Sequence, residues 1–497
     1  MPTKSFLAFD LGASGGRSIL GTLDQGRLSI REVNRFPNEM VELAGHLHWN
    51  IAQLYQEMKQ GMGACAGDLQ VRPESLAVDT WGVDFGLVAA DGSLLGLPYS
   101  YRDPRTQGAP EELFQRVPRR RLYELTGIQM MPINSLFQLY VMARDGSPLL
   151  AAADALLLIP DLLSYLLTGK RVTEFTIATT SQLYNPVKGG WEAELFTALG
   201  VPQALMQEVV PPGTVIGELR PTICQETGLP PVPVIATASH DTGAAVAAAP
   251  GEGTDWAYIS SGTWSLVGFE SDRPVITQQA LDFNLTNEGG VGNTFRVLKN
   301  VTGLWLVQEC RRAWARDRLY SYEELAGMAA SGRPFRALID PDHAGFLNPG
   351  DMPEAICHYC EATGQSRPET PAEFVRCILE GLALKYRMVL DELRQIHPSP
   401  INRVHVIGGG SSNGTLCQFT ANATGLPVLA GPSEATAIGN LLVQAMGLGH
   451  ISSLVELREI VRTSFPLKRY EPKEVGAWDR AYQRFVEVSR ALRQWQA

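Results

Sequence analysis

The sequence predicts an α/β protein made of two lobes of similar construction, and three observations support this prediction. The opening segment FLAFDLGASGGRSIL, residues 6–20, has the pattern of two strands joined by a turn of small residues. Helical and strand patterns then alternate along the chain. Beyond a connection rich in Pro and Gly, at residues 211–213 and 230–231, a similar strand, acid and small-residue hairpin recur. The chain of 497 residues is long enough for two such cores.

The opening hairpin has the features of an anion-binding turn. Its apolar run ends on Asp10, and strand character resumes at Arg17 after a turn of Gly, Ala and Ser. Small residues let main-chain N–H groups converge on an anion, and a carboxylate at the strand end can hold a hydrated divalent cation. The turn is neither a Walker loop nor a dinucleotide-binding turn, because no Gly-Lys-Ser/Thr follows it and the next element is a strand. The alternative interpretation is an ordinary Gly-rich turn.

The rest of the first lobe predicts a mixed sheet. Residues 27–33 should add a third antiparallel strand, and Asn50 should cap a helix. Residues 75–78 should form a buried strand that runs into DTWGVDF, residues 79–85. Three meandering strands followed by a helix and a buried strand are typical of the start of a nucleotide-binding lobe.

The second lobe repeats this pattern. A strand at residues 234–239 runs into His240 and Asp241, and residues 256–269 form a second small-residue hairpin. A helix is predicted over 371–393 and a terminal packing helix over 477–495. A strand at 404–407 is followed by the triplet Gly408, Gly409, Gly410, which would let the backbone lie against a planar ring or a phosphate. Its alternative is a tight turn from strand to helix.

Composition limits the possible partners. The net charge of −10 argues against nucleic acid or an anionic membrane as a general partner. The most apolar long stretch, residues 148–167, is interrupted by Asp and Pro, so we expect buried elements and a cytoplasmic protein. Seven cysteines are too scattered for a disulfide scaffold, and Cys357 and Cys360 are expected to be buried or half-buried thiols on a helix.

Four segments together make the pattern specific. DLGASGGR, SHDTGAAV, ISSGTWSL and VIGGGSSN resemble the FGGY family of carbohydrate kinases, from residue 6 to beyond residue 440. The resemblance implies the actin-like ATPase (ribonuclease H-like) fold, an α/β fold of two lobes with a central cleft. It further implies a sugar-binding lobe with the first phosphate hairpin over 1–245, and an adenosine-binding lobe with the second over 246–497.

The resemblance also assigns roles to individual residues. It implies ATP and Mg²⁺ as cofactors, with Asp10 orienting the metal mainly through water and Asp241 serving as the catalytic base. The residues implied to bind ATP are Ala13, Ser14, Gly15, Gly16, Arg17, Thr263, Gln308, Gly408, Gly409, Gly410 and Asn413. Those implied or positioned to bind the sugar are Gly82, Asp84, His240, Asp241, Thr242 and Asn300.

Plainer roles stay open for several of these residues. Arg17 could form a surface ion pair, His240 could only support Asp241, and Asp241 could cap a helix. Asp84 could equally be a salt-bridged part of the wall. Oligomeric state, monomer or dimer, is also open.

Further segments indicate the substrate. DTWGVDF, YRDPRT, SHDT, TNEGG and LKNVTGLWLVQ resemble those FGGY kinases that act on L-rhamnulose. The expected activity is therefore phosphorylation of L-rhamnulose at its 1-hydroxyl, a step of L-rhamnose catabolism. Trp81, Val83 and Phe85 alternate, so one side of that segment could present an apolar surface to the sugar's methyl group. Alternatives are a kinase for L-fuculose, L-ribulose or D-xylulose, or an actin-like ATPase or sugar sensor without kinase activity.

Overall fold

The structure, a computed structural model, describes residues 3–347 and 349–493 and divides into two compact units. The first unit consists of Met1–Pro250, Glu270–Val297 and Ala435–Ser464, and the second of Gly251–Phe269, Leu298–Glu434 and Phe465–Ala497. The chain therefore passes between the units several times, first after Pro250.

Strands and helices alternate along the described chain, as the sequence predicts. The strands, β1 to β21, are Lys4–Gly12, Gly15–Asp24, Arg27–Pro37, Met40–Leu43, His46–Trp49, Leu76–Thr80, Phe85–Val88, Ala155–Leu158, Thr173–Glu174, Tyr184–Asn185, Gly190–Trp191, Val209–Val210, Thr214–Glu218, Pro233–Ala236, Trp256–Ser261, Trp264–Ser271, Thr286–Gly289, Phe295–Thr302, Arg403–Ile407, Val428–Ala430 and Lys468–Tyr470.

The α-helices, α1 to α19, are Ile51–Ala66, Ala109–Leu113, Arg119–Thr126, Ser135–Arg144, Pro148–Ala152, Ile159–Thr168, Phe175–Thr180, Ala193–Leu199, Pro221–Thr227, Asp241–Ala247, Gln278–Asp282, Trp305–Trp314, Tyr322–Ser331, Met352–Ala362, Pro371–Arg394, Gly414–Thr424, Ala435–Gly447, Leu454–Ser464 and Val475–Arg493. The end predicted for the last helix, residues 494–495, lies outside the described residues.

The first unit is built on a mixed sheet with the strand order β13-β14-β6-β1-β2-β3. Strands β1, β2 and β3 form an antiparallel meander, whereas β6 pairs in parallel with β1, and β14 in parallel with β6. Asn50 caps α1 by accepting a hydrogen bond from the N–H of Gln53 at 3.2 Å. These features confirm the predicted mixed sheet, third strand and helix cap.

Side-chain alternation along β1 decides where Asp10 points. Leu7, Phe9 and Leu11 are buried in one cluster with side chains of α1 such as Leu54. Because successive side chains of a strand point to opposite faces, Asp10 lies on the other face. Helices α10 and α17 pack against β1 and β6. The close packing of α10 and α17 needs a glycine at 439, since a Cβ there would lie 1.9 Å from the carbonyl oxygen of Ala244.

The second large sheet has the strand order β17-β18-β16-β15-β19-β20-β21, of which β15, β19, β20 and β21 lie in the second unit. β15 and β16 form the predicted second hairpin, and β19 runs parallel to β15 and leads to the glycine triplet. The predicted helix over 371–393 is α15, which ends at Arg394. Cys357 is half-buried and Cys360 buried, both on α14 as free thiols. Within the described residues, every helix is too short or too polar to span a membrane.

Candidate active site

The first hairpin closes tightly around a tip of small residues. Gly12 pairs with Gly15 as the last step of the β1–β2 ladder, so Ala13 and Ser14 form the tip. Asn38 supports the tip by donating its side-chain N–H to the carbonyl oxygen of Gly12 at 2.9 Å. Position 16 requires glycine, because a Cβ there would lie 2.3 Å from the ring of Phe36. The predicted hairpin is confirmed, and its small residues leave the tip without bulky side chains.

Asp10 and Arg17 face one another across this hairpin. They are cross-strand partners, and the Nη2 of Arg17 donates to Oδ2 of Asp10 at 2.5 Å. The side chain of Asp10 is 9% exposed and that of Arg17 is 19% exposed. The arginine therefore forms a largely buried ion pair rather than the surface pair considered from the sequence, and its charge lies at the base of the hairpin tip.

A second carboxylate, Asp79, lies beside Asp10. The two residues are partners in the parallel β1–β6 pairing, which places both side chains on the same face. Asn440 of α17 donates to Oδ2 of Asp79 at 2.6 Å, whereas Oδ1 is buried and has no hydrogen-bond partner among the described residues. Burial raises the pKa of Asp79 well above its usual value, and the negative charges of Asp10 and Asp241 raise it further.

Asp241 begins α10 on the same side of the sheet. His240 occupies the N-cap position and Asp241 the first helical position, so the predicted alternative that Asp241 is itself the cap is wrong. Thr242 donates both its backbone N–H, at 2.5 Å, and its hydroxyl, at 3.1 Å, to Oδ1 of Asp241. Burial raises the pKa of Asp241, as does the charge of Asp10, while His240 opposes this effect. The side chain is 31% exposed, so it is accessible to a substrate hydroxyl.

His240 contacts the candidate base directly. Its Nε2 lies 3.3 Å from Oδ1 of Asp241. The imidazole is buried, and its residue extends the sheet through a parallel bridge with Thr80 at the end of β6. The supporting role considered from the sequence therefore has a geometric basis.

Glu174 fixes the backbone that carries His240 and Asp241. This fully buried residue caps α7, and its Oε2 accepts a hydrogen bond from the N–H of Ser239 at 3.0 Å. The same carboxylate accepts the hydroxyl of Thr176, which in turn accepts the N–H of His240 at 3.1 Å. Burial raises the pKa of Glu174 to about 7. The buried carboxyl of Glu174 thus fixes two consecutive peptide N–H groups before Asp241, one directly and one through Thr176.

The segment with Gly82, Val83 and Asp84 forms a tight turn between β6 and β7. The N–H of Asp84 donates to the carbonyl oxygen of Gly82 at 2.9 Å, and Val83 has a φ of +67°, which is rare for a β-branched residue. The prediction that Trp81, Val83 and Phe85 share one apolar side of a strand is therefore wrong, because the turn interrupts the strand. Trp81 and Phe85 are buried in the core, and Val83 is half-buried.

Asp84 is a buried hydrogen-bond hub. Its oxygens accept from the indoles of Trp49 at 2.5 Å and Trp81 at 3.0 Å, from the N–H of Tyr101 at 3.1 Å, and from the amide of Gln138 at 2.8 Å. All four donors are neutral, so the salt bridge considered from the sequence is replaced by an uncharged cage. Burial raises the pKa of Asp84 to about 6. Asp84 is 1% exposed, so it holds the surrounding side chains in place and presents almost no surface to a ligand.

In the second unit, the hairpin tip contacts Gln308. The hydroxyl of Thr263 donates to Oε1 of Gln308 at 3.3 Å, and the N–H groups of Gly303 and Trp305 donate to the carbonyl oxygen of Thr263. Two residues predicted to bind ATP are thus neighbours. Asn300, predicted to bind sugar, lies half-buried on β18 of the same unit.

The glycine triplet packs against this second hairpin. A Cβ at Gly410 would lie 2.0 Å from Oγ of Ser261, and one at Gly408, whose φ is +78°, would lie 3.1 Å from the carbonyl oxygen of Ser261. A Cβ at Gly409 would meet no atom of the described residues within 4 Å, so this position is open. Asn413 caps α16 by accepting the N–H of Leu416 at 3.0 Å. The end of β19, the glycine turn at 408–410 and the start of α16 therefore lie together beside the second hairpin.

The donor set beside the first hairpin fits a hydrated magnesium ion better than a metal fully enclosed by protein. Among the described residues no group of three or more His, Cys, Asp and Glu side chains is arranged to hold a metal. Mg²⁺ usually binds to one or two carboxylates and keeps several waters. Asp10 and the unpartnered Oδ1 of Asp79 are oxygen ligands of that kind.

The sequence analysis missed Asp79, Glu174 and Asn440. Asp79 stands in the quoted segment DTWGVDF, directly before the residues assigned to sugar, so a motif signal existed. Glu174 and Asn440 had none, because each acts on a residue far away in the chain.

Comparison with known proteins identifies the family. The N-terminal domain model of the FGGY family of carbohydrate kinases matches residues 5–248, and the C-terminal domain model matches residues 257–448. The protein named rhamnulokinase from Bacteroides thetaiotaomicron is 51% identical over 490 residues, covering 98% of this chain and 100% of that protein. The protein of the same name from Enterococcus faecalis is 41% identical, covering 98% of both.

Solved structures share the fold at low sequence identity. A xylulose kinase from Lactobacillus acidophilus superposes with a TM-score of 0.82 at 16% identity, covering 98% of each chain. The glycerol kinase of Plasmodium falciparum with ADP superposes with a TM-score of 0.77 at 13% identity, covering 99% of this chain and 98% of that one. This two-domain α/β fold is that of the actin-like ATPases. The chain belongs to the FGGY family of carbohydrate kinases and is an ATP-dependent sugar kinase.

Proposed function

We propose that the protein transfers the γ-phosphoryl group of ATP to the 1-hydroxyl of L-rhamnulose, giving L-rhamnulose 1-phosphate and ADP. The assignment of phosphoryl transfer rests on the position of Asp241. Its partly exposed carboxylate lies at the start of a helix, with His240 at 3.3 Å and Asp10 on the same side of the sheet. The substrate part rests on relatives named rhamnulokinase that match nearly the whole chain.

In this proposal Asp241 receives the proton of the 1-hydroxyl as that oxygen attacks the γ-phosphorus. Phosphoryl transfer depends on positioning and on neutralising charge rather than on covalent catalysis. Arg17 and the main-chain N–H groups at residues 13–16 supply that neutralisation at the first hairpin. Bound Mg²⁺ would neutralise the phosphate oxygens, with Asp10 holding it mainly through water and Asp79 adding a second carboxylate.

The remaining site residues are divided by ligand. We assign ATP contacts in the second unit to Thr263, Gln308, Asn413 and the triplet at 408–410. The sugar contacts are assigned to Gly82, His240, Asp241, Thr242 and Asn300, with Asp84 holding the wall in shape. The division into a sugar lobe over 1–245 and an adenosine lobe over 246–497 is part of the same proposal. The proposed place of action is the cytoplasm.

The test is a ranking of substrates by ADP release in the presence of Mg²⁺. We expect the highest kcat/KM for L-rhamnulose, with L-fuculose about 10 to 200-fold lower because few kcal/mol distinguish such similar ketoses. Glycerol should give negligible turnover, since it leaves buried polar groups of the sugar site unpaired.

Two results would contradict these assignments. ADP release that does not depend on any sugar would contradict the kinase assignment. D-xylulose or glycerol outranking L-rhamnulose would overturn the substrate assignment alone.

A further inference from the structure

A buried pair of opposite charges, Glu288 and Arg296, contacts the Nδ1 side of the His240 ring. Its Nδ1 lies 3.2 Å from Oε2 of Glu288 and 3.1 Å from Nη2 of Arg296. Arg296 also contacts Glu288, with Nη2 3.1 Å from Oε2, and its Nε donates to the carbonyl oxygen of Gly289 at 2.9 Å. A continuous chain of polar contacts therefore runs from Arg296 and Glu288 through the imidazole to Asp241.

This pair is almost completely removed from solvent. Arg296 is 0% exposed and Glu288 is 5% exposed. Taking two charges out of water is costly, and a buried ion pair often contributes little net stability compared with an apolar pair of similar size. Stability alone is therefore a weak explanation for placing these charges against the imidazole that touches the candidate base.

The strand that carries Glu288 is anchored on both sides. The side chain of Asn287 donates to the carbonyl oxygen of Gly127 at 2.9 Å, and the N–H of Gly289 donates to the hydroxyl of Thr179 at 2.8 Å. Position 289 requires glycine, because a Cβ there would lie 2.5 Å from the ring of Phe175. The segment TNEGG thus fixes the position of the carboxylate relative to His240.

The contact between Arg296 and Nδ1 fixes the orientation of the imidazole. Arginine only donates hydrogen bonds, so Nδ1 accepts from Nη2 of Arg296, and Glu288 lies beside both groups. The other ring nitrogen, Nε2, is thereby directed at Asp241. This is the orienting role that a second carboxylate plays for a histidine beside a reacting group.

We propose that Glu288 and Arg296 are positioning residues for catalysis: they hold the ring of His240 in one orientation, so that it supports Asp241 as the base. The inference rests on the proposed function, because it requires Asp241 to take the sugar's proton. The pair touches His240 rather than substrate.

Several charged groups lie around Asp241 and His240. Asp10 of β1 and Arg17 of β2 form an ion pair on the same side of the sheet as Asp241. Glu174 reaches the backbone that carries Asp241, and Glu288 and Arg296 face the imidazole. Removing only the charge of Glu288 takes away the partner of Arg296 and leaves the other groups in place.

The experiment compares Glu288→Gln with the unmodified protein in sugar-dependent ADP release between pH 5.5 and 8.5. We expect kcat to fall about 10 to 100-fold, with KM for ATP changed by less than about threefold. Glu288→Asp keeps the charge but shortens the side chain, and we expect it to give an intermediate kcat.

The matched control is Glu380→Gln. Glu380 is also a buried carboxylate, 1% exposed and paired with an arginine, Arg376, at 2.7 Å, but it lies on α15 of the second unit. We expect this control to keep kcat and KM for ATP unchanged.

The outcomes separate the two proposals. If the unmodified protein shows no sugar-dependent turnover, the proposed function fails. If it is active and Glu288→Gln has unchanged kcat, the positioning role is overturned. If Glu288→Gln does not fold, Glu288→Asp decides, and its behaving like the unmodified protein would overturn the role.

Discussion

At the scale of single residues, the candidate site is a group of carboxylates with different surroundings. Asp10 is paired with Arg17, Asp79 is buried with one unpartnered oxygen, and Asp241 is partly open and lies beside His240. Such differences separate the roles of chemically identical groups, because burial and neighbouring charges decide which carboxylate is neutral and which is accessible. Asp241 has the accessibility and the partner that a base needs.

Replacing Asp241 with Asn should therefore remove catalysis while leaving nucleotide binding. We expect kcat to fall at least about 100-fold, because an amide cannot accept the hydroxyl proton, with KM for ATP changed by only a few-fold. Steady-state kinetics with saturating sugar measures both quantities. Near-normal turnover in this variant would show that Asp241 is not the base.

At the scale of elements, the site depends on close approaches that only glycine allows. The triplet shows this most directly, since Gly410 lies against Ser261 while Gly409 is open. Both are glycines in a run of three, and their sequence context is nearly the same. Their roles differ because only one of them meets the second hairpin.

Alanine variants of these two glycines should differ in their free energy of unfolding, measured without any ligand. In Gly410→Ala the new Cβ would lie 2.0 Å from Oγ of Ser261, so we expect a loss of about 1 to 3 kcal/mol in the free energy of unfolding. Gly409→Ala, whose Cβ meets nothing within 4 Å, is the matched control and should change it by less than about 0.5 kcal/mol. Denaturant unfolding followed by tryptophan fluorescence measures the difference. Equal effects in both variants would contradict the packing described for Gly410.

At the scale of the whole molecule, buried carboxyl groups should make stability depend on pH. Burial raises the pKa of Asp84 to about 6 and those of Glu174 and Glu380 to about 7. Each group binds its proton more tightly in the folded state than in the unfolded chain. Folding is therefore favoured where these groups are protonated, and this contribution is lost as pH rises from about 4.5 through about 7.

The free energy of unfolding should accordingly be about 1 to 3 kcal/mol higher at pH 6 than at pH 8. Calorimetry or denaturant titration at the two pH values checks this, and Glu380→Gln should have a shallower dependence because one of the three groups is gone. Stability that is constant or higher at pH 8 would refute the assignment of raised pKa values to these groups.

The sequence alone determined both hairpins, the mixed sheet, the cap at Asn50 and the strand that carries Asp10, whereas the strand predicted over 234–239 ends at Ala236 and Asp241 begins a helix. These features are local: turns of small residues, apolar runs and capping side chains act within a few residues, so their patterns are visible along the chain. The segment from Trp81 to Phe85 shows where this fails. Its alternation predicted a strand face, but hydrogen bonds to Asp84 from groups far along the chain stabilise a turn with Val83 at positive φ.

The tertiary structure decided which side chains meet. Asp79 lies beside Asp10 because β6 pairs in parallel with β1, and no local pattern encodes that register. His240 and Arg296 are 56 residues apart in the chain, yet their nitrogens lie 3.1 Å apart in the fold. The segment TNEGG was visible in the sequence, but the role of Glu288 was not, since a buried charge acquires its function from the groups that surround it after folding.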